Sequence, residues 1–397
     1  MLEGALSIWP RRRWVDLRLS SFSQKNAPIG TPWCYYPRES GFKIYQQNSN
    51  YYQLVSGFNN AYGSNISPIN VNVRQNGKTL RVIIGAYDRY VPPINIPQLP
   101  SVTEESLQFS GTNIPGTDFF AFKIIRKSTL TNIWDTTIGG LQFADKFIQI
   151  ATFLPSMNIF GFGEHIHHKL KHDLSRYTVW PMFARDIAPD SGSTISTQNL
   201  YGVHPFYICV ENDGKAHGVL ILNSNAQEVA LGPGPHLVYR TIGGQLDLAF
   251  FPGPTPEMVV EQYLAHIGTP FLPAYWALGF QLSRWGYKNL TDMQHIVRRV
   301  QAAGIPLDVP YADIDYMRHD EDFTEGNWSD FPAYVDQLHN EGLHVILIFD
   351  PAIEVDYGSF KRAIDQEASF IEWATNAQVP KSIQDQYPMV KGTKARI

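Results

Sequence analysis

The sequence is poor in cysteine, in excess charge and in long apolar runs, and each shortage removes a class of function. Only two cysteines, Cys34 and Cys209, occur in 397 residues. They are too few for a disulfide framework and too far apart for a thiolate metal site. The formal net charge is −5 and no basic stripe is sustained, which argues against a nucleic-acid partner. The one basic run, Arg11-Arg12-Arg13, lies in aperiodic sequence and reads as a solvated tail. No apolar run approaches the roughly 18 residues of a membrane-spanning helix. Met1 to Trp9 carries Glu3 and lacks the apolar centre of a signal peptide. G-x-G-x-x-G, P-loop, G-x-S-x-G, H-E-x-x-H and C-x-x-C motifs are all missing, so no nucleotide, cofactor or serine-hydrolase chemistry is expected.

What is present is apolar and aromatic: 44% of residues are hydrophobic, enough in a chain of this length for a large core and two or three domains. Residues 1–40 show no periodicity and form an irregular lead-in. From 41 to 253 strand follows strand. Ile69, Val71 and Val73 alternate with polar residues, Asn76-Gly77 signals a hairpin turn, and Leu80 to Ile84 runs back. Asn212-Asp213-Gly214 marks a second hairpin, and Phe119 to Ile125, Phe143 to Phe153 and Leu246 to Phe251 are further strands. Many short antiparallel strands predict a large β-sandwich.

The pattern changes after Pro252-Gly253-Pro254. Thr255 and Pro256 start a helix whose Val260, Tyr263, Leu264 and Ile267 share a face. Strand Trp276 to Ser283, a helix from about Thr291, strand Leu307 to Ile314, a helix near Pro332 to Asn340 and strand His344 to Phe349 follow. Residues 254–397 therefore read as alternating strands and helices over a parallel sheet, either doubly wound or the start of a β/α barrel.

Both architectures put working residues at the C-terminal ends of strands. Ser283-Arg284-Trp285, Asp313 with Asp315, and Asp350 fall there. An aromatic residue with acids in one cleft suits a sugar or other polyol. If the second strand persisted, Asp313 and Asp315 would project to one side about 6.5 to 7 Å apart. A pair so placed cannot flank a glycosidic bond from opposite sides, so Asp313 is read as an acceptor for substrate hydroxyls and Asp315 as its support. Elsewhere, Glu164-His165-Ile166-His167-His168 and His172 could suggest a metal, but their spacing favours ordinary packing and no metal ligand is assigned. Three Asn-x-Ser/Thr triplets, at Asn65, Asn289 and Asn327, are weak glycosylation signals.

Several stretches together carry a family resemblance. They are Gly161-Phe162-Gly163-Glu164-His165, Trp180-Pro181-Met182-Phe183-Ala184-Arg185-Asp186, Asn199-Leu200-Tyr201-Gly202-Val203-His204-Pro205-Phe206, Tyr239-Arg240-Thr241-Ile242-Gly243-Gly244, Tyr275-Trp276-Ala277-Leu278-Gly279-Phe280-Gln281-Leu282-Ser283-Arg284 and Ala312-Asp313-Ile314-Asp315-Tyr316-Met317. In this order they resemble glycoside hydrolase family 31, in its maltase-glucoamylase, sucrase-isomaltase and lysosomal α-glucosidase group, from about residue 30 to 353. The resemblance implies a retaining α-glucosidase plan. A P-type trefoil is followed by a galactose-mutarotase-like β-sandwich and then a TIM (β/α)8 barrel, of which about three strands would lie here. It also implies an α-linked gluco-oligosaccharide as substrate and a secretory-pathway setting, whether extracellular, membrane-tethered or lysosomal. Asp313 would hold the sugar in the cleavage subsite, with Ile314 and Ile348 as apolar walls, Trp285 as an aromatic wall and Asp350 as a further acid. Asp186, on a sandwich loop, would bind the neighbouring ring.

Two departures matter. Gly30 to Pro37 is similar to the end of a trefoil, but only Cys34 of the six cysteines is there. The family's nucleophile, in a W-x-D-M-N-E motif after the fourth barrel strand, has no counterpart, because Trp373 is followed by Ala374-Thr375. The later acid/base is missing too. No catalytic residue is assigned, and the expectation is a truncated α-glucosidase that is inactive alone, since retaining hydrolysis needs both carboxylates; the alternative is a catalytically dead carbohydrate-binding or structural fragment.

Overall fold

A computed structural model describes residues 41–381 except 58, 61–62, 168, 186, 188, 190–196, 327, 351–352, 354, 371–372, 374 and 380. The trefoil-like Gly30 to Pro37, Cys34, Asp186, His168 and Asn327 lie outside the described residues. The chain divides into two compact units, Met1–Thr269 and Pro270–Ile397.

The first unit is the expected β-sandwich, two antiparallel sheets of eight strands each. One sheet runs in the order Lys43–Gln47, Tyr51–Val55, Ile69–Asn76, Thr79–Gly85, Leu246–Phe251, Ala216–Ile221, His204–Val210, Asn158–Gly163. The other runs Thr178–Met182, Gln227–Gly232, His236–Thr241, Phe147–Phe153, Thr131–Asp135, Phe120–Arg126, Leu107–Asn113, with Gln142–Ala144 added against Phe147–Phe153. Alternation explains the packing: Ile69, Val71 and Val73 are buried while Asn70 and Asn72 are half-buried. Inward side chains of both sheets meet in one core, in which Trp134 meets Phe250 edge to face at 5.5 Å. The first hairpin turns one residue later than expected. Asn76 pairs with Thr79, so Gly77 and Lys78 form the loop, and Gly77 takes the left-handed φ of 56° that the tight turn requires.

Charge is also buried between the sheets. Arg126 ends a strand of one sheet, while Glu211 and His217 flank a hairpin of the other. Arg126 Nε donates to Glu211 Oε2 at 3.0 Å, and its two terminal nitrogens donate to the carbonyls of Pro252 and Ala216 at 2.8 and 3.0 Å. His217 Nδ1 lies 2.9 Å from Glu211 Oε1. Burial pushes the Glu211 carboxyl up, but the His217 and Arg126 hydrogen bonds outweigh it and hold Glu211 below the ordinary range. Burial lowers the basicity of His217, so it stays neutral and donates to Glu211.

Helix α1 (Pro256–Ile267) is capped by Thr255, whose Oγ1 accepts from Met258 N at 3.3 Å. Its inward face differs from the expectation. Val259, Gln262 and His266 are buried, whereas Val260 and Ile267 are exposed. Gln262 brings this about by bonding both backbone groups of Gly253, each at 2.9 Å. Val259 packs with Phe206, Ala216 and Phe251, so α1 belongs to the sandwich unit.

The second unit alternates β1 (Gln281–Leu282), α2 (Leu290–Ala302), β2 (Val309–Ala312), α3 (Phe331–Asn340), β3 (Ile346–Leu347) and α4 (Gly358–Asp365). The strands pair in parallel in the order β1-β2-β3. They are shorter than expected: Tyr275–Leu278 is a 3-10 turn, not the start of β1. Asn289 caps α2 by accepting from Asp292 N at 2.9 Å, and Met293 and Val297 of α2 pack with Tyr334 and Leu338 of α3 over the sheet.

Candidate sugar-binding site

The three strands of the second unit end side by side, and the residues that follow them form the candidate site. Strand β2 stops at Ala312 because Asp313 turns the chain. Its Oδ1 accepts from Ile314 N at 2.8 Å and caps the 3-10 turn Ile314–Tyr316. Asp313 and Asp315 therefore do not share a strand face. The separation calculated from strand rise does not apply, because the strand has ended.

Asp315 instead reaches sideways. Both of its oxygens accept from Gly286 N, at 3.1 and 3.0 Å, which ties the turn after β2 to the loop after β1 that carries Trp285. Tyr316 reaches the other way and donates from its hydroxyl to Ile348 O at 3.2 Å. Asp322, only 6% exposed, accepts from Asp350 N at 2.9 Å. The three strand ends are thus fastened by polar contacts that leave Asp313 half-buried and Asp350 exposed. Ile314 and Ile348 are half-buried, and Trp285 is 70% exposed. Among the sequence candidates, Trp285, Asp313, Ile314, Ile348 and Asp350 all follow these strands, while Asp186 lies outside the described residues.

Sequence reasoning missed Asp322 and the aromatic pair Phe323 and Phe349. The sole signal for Asp322 was an acid beside a phenylalanine within a loop, which pattern alone does not separate from a solvated turn.

The histidine-rich stretch is built as packing. His167 stacks on Trp180 with ring centroids 4.6 Å apart, and His165 and His172 meet the same indole edge-on at 5.2 and 5.0 Å. His165 Nε2 is 2.6 Å from Pro181 O and His172 Nε2 is 2.8 Å from Gly161 O. Burial lowers the basicity of His172 to a pKa of about 4. No group of three or more His, Cys, Asp or Glu able to hold a metal occurs among the described residues.

Comparison with known proteins agrees with both units. Residues 270–391 match the TIM-barrel domain of glycosyl hydrolases family 31, and residues 127–229 match the glycosyl hydrolase 31 N-terminal galactose mutarotase-like domain. The parallel sheet is thus part of a barrel, not a doubly wound fold. Human intestinal sucrase-isomaltase is 42% identical over 364 residues, which cover 86% of this chain and 19% of that protein. Mouse lysosomal α-glucosidase is 36% identical over 346 residues, covering 83% of this chain and 34% of that protein. The chain therefore spans about a fifth to a third of these relatives. The fold is shared with the glucosidase II α subunit, at a TM-score of 0.64 and 19% identity over 86% of this chain and 46% of that one. A mutarotase-like sandwich leading into part of a TIM barrel, matched along both units by one family, means that this chain belongs to glycoside hydrolase family 31.

Proposed function

We propose that the second unit supplies one wall of an α-glucosidase pocket, which holds the terminal ring of an α-1,4- or α-1,6-linked gluco-oligosaccharide such as maltose. The observation that carries this reading is the common end of three parallel strands, where a carboxylate (Asp313), an exposed indole (Trp285) and a second carboxylate (Asp350) stand together. Carboxylates accept hydrogen bonds from sugar hydroxyls, an indole covers the apolar face of a pyranose, and Ile314 and Ile348 exclude water beside them.

These residues bind and orient but do not complete hydrolysis. A retaining glycosidase forms a bond from one carboxylate to the anomeric carbon while a second protonates the leaving oxygen. The 397 residues contain no W-x-D-M-N-E motif to supply that nucleophile, so we infer that they bind sugar without turnover. Names of relatives that include intestinal and lysosomal proteins favour a secretory-pathway setting. No described helix is long and apolar enough to cross a membrane. Asn65, half-buried with its Nδ2 donating to Ser56 Oγ at 2.9 Å, and Asn289, exposed at the α2 cap, are the described acceptors such a setting would offer.

Calorimetry with maltose and a release assay on an aryl α-glucoside test the reading together. Millimolar-range binding lost in Asp313→Ala, with no turnover, is expected. Sustained turnover by the pure chain, or binding indifferent to Asp313→Ala, would sink it.

A further inference from the structure

We propose that Asn289, and not Asn65, is a glycan attachment site, whose side-chain amide takes an oligosaccharide from a lipid-linked diphosphate donor. The proposal rests on the secretory-pathway setting given above.

Both residues open an Asn-x-Ser/Thr triplet, the unit at which such a glycan is added. The reaction joins the anomeric carbon of the sugar to Nδ2, releases one N–H proton and expels the lipid diphosphate. The product keeps the side-chain oxygen and one N–H, and gains a bulky, hydrated group that only an open surface accommodates. A folded chain therefore carries the glycan where Nδ2 faces water without a partner.

Asn289 meets that condition. It is exposed, in extended backbone, in the loop between β1 and α2. Its Oδ1 accepts from Asp292 N at 2.9 Å, and a backbone donor there fixes which arm of the amide is the oxygen. The acceptor arm is turned to the helix, and the Nδ2 arm is turned away from it. Nδ2 has no hydrogen-bond partner among the described residues. Thr291, which completes the triplet, is exposed, and its hydroxyl makes no hydrogen bond to the described residues either. The cap uses the oxygen and the glycan uses the nitrogen, so α2 keeps its cap when the site is filled.

Asn65 fails on the same counts. It is half-buried and pairs in an antiparallel bridge with Ala144, while Ile66 N donates to Phe143 O at 2.8 Å. Ala144 and Phe143 belong to the core. Asn65 Nδ2 donates to Ser56 Oγ at 2.9 Å, and the hydroxyl of its triplet, on Ser67, accepts from Ser56 N at 3.0 Å. Both groups that the reaction uses are thus engaged by Ser56, and a sugar on Nδ2 would displace that residue.

The test directs the full chain into the endoplasmic reticulum of cultured animal cells behind a cleavable leader. The parent is compared with Asn289→Asp, Thr291→Ala and Asn65→Gln by gel mobility before and after peptide-N-glycosidase, and occupied asparagines are mapped by mass spectrometry. Asn289→Asp retains an oxygen for the cap and Thr291→Ala leaves the cap untouched, so equal melting temperatures separate loss of the glycan from loss of the fold. Asn289 should be occupied, and both triplet variants should run one glycan lighter while Asn65→Gln runs with the parent. An unmodified Asn289 in the chain recovered from these cells, or Asn65 occupied as fully as Asn289, overturns the proposal. The protein isolated from its native cells tests the setting separately. An unmodified Asn289 there, beside a modified one in the directed chain, refutes the secretory setting and leaves the acceptor site standing.

Discussion

Replacing Glu211 by glutamine should unfold the sandwich at markedly lower temperature without altering its surface. In the native fold Glu211 is 2% exposed and Arg126 3% exposed. The two carboxylate oxygens meet Arg126 at 3.0 and 2.5 Å, and one of them also meets His217 at 2.9 Å. Glutamine keeps the volume and one acceptor oxygen but removes the charge and turns the other oxygen into a donor, leaving the buried guanidinium without a counter-charge and with an amide NH2 facing Arg126 or His217. Breaking one side of a buried pair costs about 3 to 5 kcal/mol, a large share of the roughly 5 to 15 kcal/mol that separates a folded domain from its unfolded chain. In a domain of this size the loss corresponds to a fall in midpoint of about 10 °C. Differential scanning calorimetry on Glu211→Gln, Arg126→Met and the double variant reads it directly. The double variant should be less destabilised than the sum of the singles, because it leaves no stranded charge. Glu211→Gln within 1 kcal/mol of the parent, or strictly additive singles, would refute the reasoning.

Other consequences can be checked independently. His172, with an unfolded value near 6.5 and a folded value of about 4, contributes stability that is complete above pH 6.5 and declines as pH falls toward 4. Urea denaturation at pH 7 and pH 4.5 should show a loss approaching about 3 kcal/mol, reduced in His172→Gln; a flat profile would contradict the burial argument. Gly161 has φ of 117°, and a Cβ there would come within 2.5 Å of Phe206 O. Gly161→Ala should therefore cost about 2 kcal/mol or more, seen as a lower urea midpoint at unchanged slope. Asp315→Ala, which frees Gly286 N, should weaken maltose binding about tenfold with little change in melting temperature. Unchanged affinity would remove its positioning role.

Local periodicity made much of the fold legible. Ile69, Val71 and Val73 announce a half-buried strand, and Leu246 to Phe251 coincides with its strand because all six residues are buried. The motifs around Asp313 fall just past strand ends, as the alternating pattern placed them. What escaped depends on partners distant in sequence. Val260 of α1 is apolar yet exposed, because Gln262 finds both backbone groups of Gly253 and turns the helix to face it. Strand β2 ends early because Asp313 bonds its own neighbour, a choice invisible in an alternation pattern. Asp315 finds Gly286 across 29 residues. Phe323 faces Phe349 only because a left-handed loop turns it there.

The Asp315 contact with Gly286 also bears on how such a pocket can be re-engineered. One carboxylate gripping the neighbouring loop makes the segments after β1 and β2 a single graftable piece. Exchanging the Trp285 loop alone for that of another family member would strand Asp315 against a foreign backbone. Exchanging both together would carry the grip along. A paired graft should therefore transfer sugar preference where either loop alone fails, and equal transfer by the Trp285 loop alone would show that the two segments act separately.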